Sequence, residues 1–535
     1  MNNSAYKIIK LIAPVLLLAM AIGSCKKDSD PSNELVRQFM PIDISVTTGD
    51  TIATLSWKPS LYTSGKDVEY TLELSRDSNF TAAAEFSVVT KNTQVTITDR
   101  QLAVRQKYFG RIKTNAYGNS EESHWYHSNG MTPLRGEQFM RPILDGELTD
   151  SKVTLRWVVN AGVTKITLTP TTGNPISVNL DPADIAAGVK TITNLAPKTT
   201  YDAAIFVGPA QKGFLTFTSF ASTPTGSNII MVGATDDLVT LLQTPVAAGT
   251  VFVLQQGTKY TSGNTVQLPN NASITIWGQP GPNKPIIAVK EFSMPTNGGA
   301  IKFENLDLTG YPNNDPTQTK RSYFVNQSAA SVTAELIFEN CTLRNFANTV
   351  MRLQTATTTV YDKVTFNKCI VSDIGWPTSS YAFIHNTIAA KINNIYITNN
   401  TFSNVGFGLI THNVSTSNTV QVDNNTFYNV TGDGRLMIDY KTLVINNFTF
   451  LNNVVGKTAS PLGTAKGVVA GSAPTVGSNT YKTSDAVFAG NPFSNIIDYG
   501  KASTDLFVDP AAGNFIFKDV NFAGRSTSGD PRWRY

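Results

Sequence analysis

From residue 274 onward, apolar and polar positions alternate in short runs that return at a near-constant interval. Leu336–Phe346 (LIFENCTLRNF) carries the pattern most clearly. Ile301–Tyr311, Val364–Ile374, Ile395–Val405, Val420–Val430 and Phe448–Thr458 overlay on it without gaps, and the stretch starting at Ile274 does so more weakly. The starts at 274, 301, 336, 364, 395, 420 and 448 are 27, 35, 28, 31, 25 and 28 residues apart. A period in that range marks a stacked repeat array. Within each repeat the first and third positions are apolar (Leu336/Phe338, Ile395/Ile397, Val420/Val422), which is strand periodicity. Helical 3.6-residue stripes are missing, so each repeat is read as one coil of a parallel β-helix. An Asn follows two residues later at 305, 340, 399, 424 and 452, at the expected sharp turn between two strands. Its amide can donate to one coil and accept from the next, which predicts a ladder interrupted locally at Lys368.

A third strand per coil also aligns. Val325, Leu353, Ile384, Ile410 and Ile438 form an apolar column expected to face the core. Asn326, Gln354, His385, Thr411 and Asp439 follow as a column expected to face out, and Gln327, Thr355, Asn386, His412 and Tyr440 stand beside it. Arg352, Arg435 and Lys441 lie nearby. The result is a strip of amides, imidazoles and charges along one face, either a binding surface or a solvated face that must be polar anyway. The column Phe324, Arg352, Phe383, Leu409, Met437 is either packed inside or an apolar platform for sugar rings.

Upstream, short alternating runs continue without the repeat. Ile52–Trp57, Val68–Leu74, Gln94–Ile97 and Tyr108–Lys113 are spaced as the strands of a β-sandwich. A Trp on an early strand and Leu102 six residues before Tyr108 resemble a fibronectin type III domain, in which the Tyr bonds back to the backbone. Val153–Trp157 and Leu195–Tyr201 repeat the pattern. The reading is therefore all-β: two fibronectin type III-like β-sandwiches at 38–133 and 137–222, then the β-helix at 227–535 with a C-terminal closure from about 476. Asp236–Thr244 is expected to form a short helix capping the first coil.

The N-terminus changes the picture. Lys7 and Lys10 precede a short apolar core, Leu11–Ile22, and then Gly23-Ser24-Cys25. This resembles the lipobox of bacterial lipoproteins, which implies a signal peptide at 1–24, lipidation of Cys25 and a tether at 25–37; a plain signal peptide with an incidental Cys is the other reading. Lys26-Lys27-Asp28-Ser29-Asp30 loosely resembles the surface-export tag of Bacteroidota lipoproteins. Charged residues are only 15% of the chain, and the formal charge of +4 falls to +2 once the two signal lysines are removed. With no basic run, a nucleic-acid partner is not expected. Cys341 and Cys369 occupy one position in consecutive coils, either as stacked free thiols or as a disulfide.

The opening coils, through Lys284-Pro285-Ile286-Ile287, resemble pectate-lyase-like right-handed β-helices. The tail, with Leu506–Pro510 and Gly529–Trp533, resembles the closure of Bacteroidota β-helix lipoproteins carrying domains of unknown function 4957 and 5123. This resemblance implies a surface lipoprotein facing the cell exterior from the outer membrane, whose partners would be a polysaccharide and the glycan-uptake machinery. Asn326, Arg352, Gln354, His385, Asn386, Thr411, His412, Asp439 and Tyr440 are the candidate binding residues for a polysaccharide, acidic or pectin-like. The alternative is a lyase acting by β-elimination on a uronate polymer. Asp433, Arg435, Asp439 and Lys441 are its compact charged group, with Arg435 or Lys441 as base. A non-catalytic adhesin is the third reading. No cofactor is expected: Ca²⁺ would need clustered carboxylates, and Asp362, Asp373, Asp423, Asp433 and Asp439 fall in different columns. Paired carboxylates for glycoside hydrolysis are not visible either.

Overall fold

The computed structural model describes residues 36–131 and 134–534. The signal peptide, Cys25 and nearly all of the tether lie outside the described residues. The chain divides into two compact units, Met1–Glu137 and Gln138–Tyr535.

The first unit is a seven-stranded sandwich. Ile42–Thr48, Ile52–Lys58 and Gln94–Thr98 make one antiparallel sheet. Phe86–Thr90, Tyr70–Ser75, Phe109–Thr114 and Tyr126–His127 make the other. Period-2 alternation sends Leu55, Trp57, Leu72, Leu74 and Ile112 into the shared core. Tyr108 is buried and its hydroxyl accepts a hydrogen bond from the Ala103 N–H at 3.1 Å. The corner expected from Leu102 and Tyr108 is therefore formed.

The second unit opens with a related sandwich. Ile176–Asn179, Lys165–Pro170, Thr200–Val207 and Ala210–Thr218 pair in one sheet, and Val189–Thr193 with Lys152–Arg156 in another. Tyr201 repeats the corner, accepting from the Ala196 N–H at 2.7 Å. A six-residue helix, Pro182–Ala187, was not legible from periodicity; Asp181 and Asp184 cap its start reciprocally.

The remainder of the unit is a parallel β-helix of three sheets: the first has nine strands, from Ile229–Val232 to Asn447–Thr449, the second runs from Lys259–Thr261 to Ile497–Asp498, and the third has eight strands, from Thr265–Gln267 to Lys466–Val469. The first sheet holds the repeat in register: Ile274, Ile301, Leu336, Val364, Ile395, Val420 and Phe448 are successive partners. Like residues therefore stack. The rings of Phe303, Phe338 and Phe366 lie nearly parallel, 5.2 and 4.6 Å apart. The turn residues Asn305, Asn340, Lys368, Asn399, Asn424 and Asn452 all have φ between 51° and 59°, a left-handed conformation that Asn tolerates well.

The ladder itself lies mostly one residue further on. Asn340 donates to Asn305 and Asn452 to Asn424, but Asn399 reaches Asn367 instead. The continuous run is Asn400, Asn425 and Asn453, all fully buried; the Asn400 N–H and Nδ2 both donate to Asn425 Oδ1, and Asn425 does the same to Asn453. Cys341 and Cys369 hold the equivalent places in earlier coils, as buried free thiols.

The helix Leu238–Gln243, capped by Asp237, packs Leu238, Val239 and Leu242 over the open end of the core. At the other end the tail folds back on the second sheet. Leu506, Phe507, Phe515, Phe517 and Phe522 pack on Tyr428 and Val454, and Asp530 and Trp533 both bond Thr401 Oγ1 at 2.7 Å. Near the start of the same sheet, Lys284 pairs with Asp145 of the second sandwich at 3.1 Å. The second sheet is thus partly covered at both ends.

Candidate functional site

On the first sheet the outward charges largely neutralise one another. Lys302 pairs with Glu304 at 2.7 Å and Lys363 with Glu335 at 3.5 Å, while Glu339 takes Asn367 and Lys368. The third sheet differs. Its strand register puts Val325, Met351, Ile384, Ile410 and Ile438 in one inward column. Asn326, Arg352, His385, Thr411 and Asp439 form the outward column beside it. The expected alignment is two positions off in a single coil: Arg352, not Gln354, belongs to the strip. Met351 and Leu353 are both apolar and both inward, so pattern alone could not choose between them. Gln354 instead follows Leu353 into the turn, where its N–H bonds the Gln327 carbonyl.

The neighbouring polar column is also corrected. Asn386, His412 and Tyr440 are fully buried, because positions two apart on a strand share a face. Asn386 Nδ2 donates to the Ala390 carbonyl at 2.6 Å. His412 Nε2 accepts from the Ile392 N–H at 3.0 Å, and its ring stacks on Tyr440 at 5.3 Å. The Tyr440 hydroxyl meets Ser417 Oγ at 2.8 Å. These three side chains brace the interior and cannot reach a ligand outside. The column of Phe324, Phe383, Leu409 and Met437 is interior as well, with Val350 in the coil where Arg352 was aligned.

The supposed compact group of Asp433, Arg435, Asp439 and Lys441 is dispersed. Arg435 precedes and Lys441 follows the strand Leu436–Asp439, which by itself spans about 13 Å. Asp433 is used by Ser460, Leu462 and Thr464 in a turn. Asp439 accepts from Asn413 Nδ2 at 2.8 Å and from the Lys441 N–H at 3.0 Å. Arg435 and Lys441 therefore cannot serve one reacting centre.

The structure adds an aromatic wall that sequence reasoning missed. Arg352 lies with its guanidinium carbon 4.7 Å from the Tyr381 ring and 5.3 Å from the Tyr323 ring, and donates to Tyr323 Oη at 2.8 Å. Among the described residues it has no carboxylate partner. The Tyr381 ring meets His385 edge-on at 4.9 Å, and His385 meets Phe407 at 6.3 Å. Arg435 in turn lies 4.5 Å from the Phe407 ring. Tyr381, Phe407 and Arg435 each stand three residues before an inward Ile (Ile384, Ile410, Ile438), a spacing visible in the sequence once that column is known. Gly408 sets the wall close: a Cβ there would come within 2.1 Å of the Leu436 carbonyl.

The floor of this groove is polar and under-satisfied. Thr411 is 4% exposed, and its Oγ1 has no hydrogen-bond partner; neither has Asn326 Oδ1. His385 is nearly buried, and its Nδ1 accepts from the Ala382 N–H at 3.3 Å, which leaves the proton on Nε2. Burial, helped by Arg352 and opposed by Asp439, pushes its pKa down to about 4. At neutral pH it is an uncharged donor. Burial also raises the Tyr323 phenol above its ordinary value, against the pull of Arg352. The groove therefore offers a cation, donors, a free acceptor and ring faces, but weak bases. No group of three or more His, Cys, Asp or Glu among the described residues is placed to hold a metal.

Two family models match parts of these coils. Residues 258–405 match a domain of unknown function, DUF4957, and residues 420–533 match another, DUF5123. No curated protein matches the chain. Among solved structures, it is similar to the chicken CNTN1 FN1–FN3 domains, with 15% identity, 35% of this chain and 68% of that one covered, and a TM-score of 0.16. It is also similar to a two-domain fibronectin type III segment of chicken tenascin, with 15% identity, 33% and 97% covered, and a TM-score of 0.17. Tyr323, Arg352, Tyr381 and His385 fall inside the first matched region, and Arg435 and Asp439 inside the second: the chain is an all-β protein that contains a DUF4957 and a DUF5123 domain.

Proposed function

We propose that this protein binds a polysaccharide, acidic or pectin-like, along the outward face of the third sheet, displayed on the outer membrane through a lipid on Cys25. One observation carries the reading: the half-buried Arg352 guanidinium, without a carboxylate partner among the described residues, held against the Tyr381 and Tyr323 rings. A planar cation held this way suits a carboxylate, and adjacent ring faces suit the apolar faces of sugars. Thr411 and Asn326 supply unsatisfied polar atoms along the same groove. The coils stack at about 4.8 Å, so an extended polymer would run across them and meet one outward side chain per coil. The sandwiches would then act as spacers, and glycan-uptake machinery would be the natural recipient.

Capture is favoured over β-elimination because elimination needs a base beside the bound uronate, and Arg435 and Lys441, the expected bases, stand three coils from the carboxylate site at Arg352. His385 has a depressed pKa and an occupied Nδ1, and Tyr323 is held protonated. Affinity electrophoresis of the full chain on a panel of uronate and neutral polysaccharides tests the proposal, alongside ultraviolet absorbance for unsaturated product with and without Ca²⁺. Retardation without product, lost in Arg352→Ala, is the expected result. Rising absorbance would replace capture with a lyase. No signal on any polymer would favour an adhesin.

A further inference from the structure

The charges of the groove are unevenly spaced. Arg352 lies in one coil and Arg435 three coils further on, about 14 Å away along the axis. The two coils between them are neutral across this whole side. Residues 374–390 and 405–418 contain no Asp, Glu, Lys or Arg. Between the cations the groove presents Tyr381, His385, Phe407 and Thr411 instead. Both cations rest on rings of that interval, Arg352 on Tyr381 and Arg435 on Phe407, so wall and charge form one surface. Other charges nearby do not fill the gap. Lys441 is in the same coil as Arg435, Lys466 is one coil beyond it, and Lys320 stands over Tyr311 on the far side of Arg352. Asp439, on the floor of the Arg435 coil, repels a carboxylate from the floor and leaves the wall as its place.

Resting on the polysaccharide-binding reading, we infer that the groove selects a polymer whose uronates are separated by neutral sugars, one carboxylate at Arg352 and the next at Arg435. A polymer with an acid on every sugar would set a carboxylate over His385 and Thr411, where it loses water and meets no cation. Burial keeps that imidazole uncharged at neutral pH, so it cannot compensate. Hydroxyls fit the interval better. Thr411 Oγ1 has no partner, His385 Nε2–H is a donor, and Tyr381 and Phe407 offer ring faces to uncharged sugars.

The test is isothermal titration of the full chain with polygalacturonate and with the same polymer half and fully methyl-esterified. Esterification changes acid spacing without changing the backbone. The expected result is that a spaced-acid probe binds about tenfold or more tighter than polygalacturonate. Arg352→Gln and Arg435→Gln should each reduce that preference. Thr411→Lys, which puts a cation in the neutral interval, should shift it toward polygalacturonate. Equal or tighter binding of polygalacturonate, or best binding of the fully esterified polymer, overturns the inference and leaves polysaccharide binding standing. Binding to none of the probes, or binding unchanged by all three variants and by Tyr381→Ala, overturns the underlying reading instead. Circular dichroism of each variant separates lost binding from lost fold.

Discussion

The Arg352 guanidinium carbon lies 4.7 Å from the centre of the Tyr381 ring, although the two residues belong to neighbouring coils and are 29 positions apart. The contact joins the floor of the third sheet to its wall. Each partner depends on the other for placement: Tyr381 gives the cation a low-polarity surface, and Arg352 holds the ring upright.

Tyr381→Ala should therefore weaken acidic-glycan binding even though it removes no charge. Arg352→Gln removes the charge and should weaken it by about tenfold to a hundredfold, the value of a charge-assisted hydrogen bond. Affinity for a neutral polymer should fall much less in Arg352→Gln. Titration of wild type and both variants with acidic and neutral oligosaccharides reads the difference.

Acid should destabilise the β-helix through His412. Burial pushes its pKa down to about 4, and an unfolded imidazole titrates near 6.5. Between those values the unfolded chain binds the extra proton. The stability that neutral His412 contributes is thus present above about pH 6.5 and lost as pH falls toward 4, an effect on the order of 3 kcal/mol. Protonation also removes the Nε2 acceptor used by the Ile392 N–H. Thermal denaturation followed from pH 7 to 4 should show a shallower slope in His412→Gln than in wild type, whatever the absolute stability of the variant.

Two asparagines with similar sequence surroundings should respond differently to substitution. Asn425→Ala strands the Asn400 N–H and Nδ2 and the Ile397 carbonyl inside the coil, a loss on the order of 3 kcal/mol or more. Asn399→Gly keeps the left-handed turn at φ 59° and loses one bond to Asn367, for about 1 kcal/mol. Chemical denaturation of the β-helix transition should rank them in that order; the reverse order would mean that the turn, not the ladder, holds the coils together.

Cys341 and Cys369 should resist alkylation in the native protein. Both are buried and free, and burial pushes the Cys341 thiol up to about 12 and Cys369 well above its ordinary value. Thiolate is the reactive form, so iodoacetamide should label both only after denaturation. Mass analysis without reductant should show neither a disulfide nor native adducts.

The coil repeat was legible because identical positions must stack, and stacking imposes identical chemistry on residues about 28 apart. The two tyrosine corners were legible from a Leu and a Tyr at fixed separation. The neighbouring Asn ladder was less so. Doublets such as Asn399-Asn400 and Asn424-Asn425 show both members, but only the buried one of each pair runs through the core, and burial is not written in a doublet. At the candidate site, Asn326, Arg352, His385, Thr411 and Asp439 could be named from sequence, whereas Asn386, His412 and Tyr440 were assigned to the wrong side. Strict use of the two-residue strand period would have placed those three inside.

By itself the sequence determined the architecture: sandwiches from short alternating runs, a β-helix from the repeat, and a strip of polar side chains on its third strand. Tertiary structure alone decided which of Met351 and Leu353 sits over Val325: the two share a face, so a two-residue slip leaves the apolar pattern unchanged, and only hydrogen-bonded pairing with both neighbouring coils sets the register. It also decided that Tyr323, Tyr381 and Phe407 meet the strip. Tyr323 opens a strand whereas Tyr381 and Phe407 come from corner segments, and only the stacking of coils at about 4.8 Å brings residues so far apart in the chain into contact.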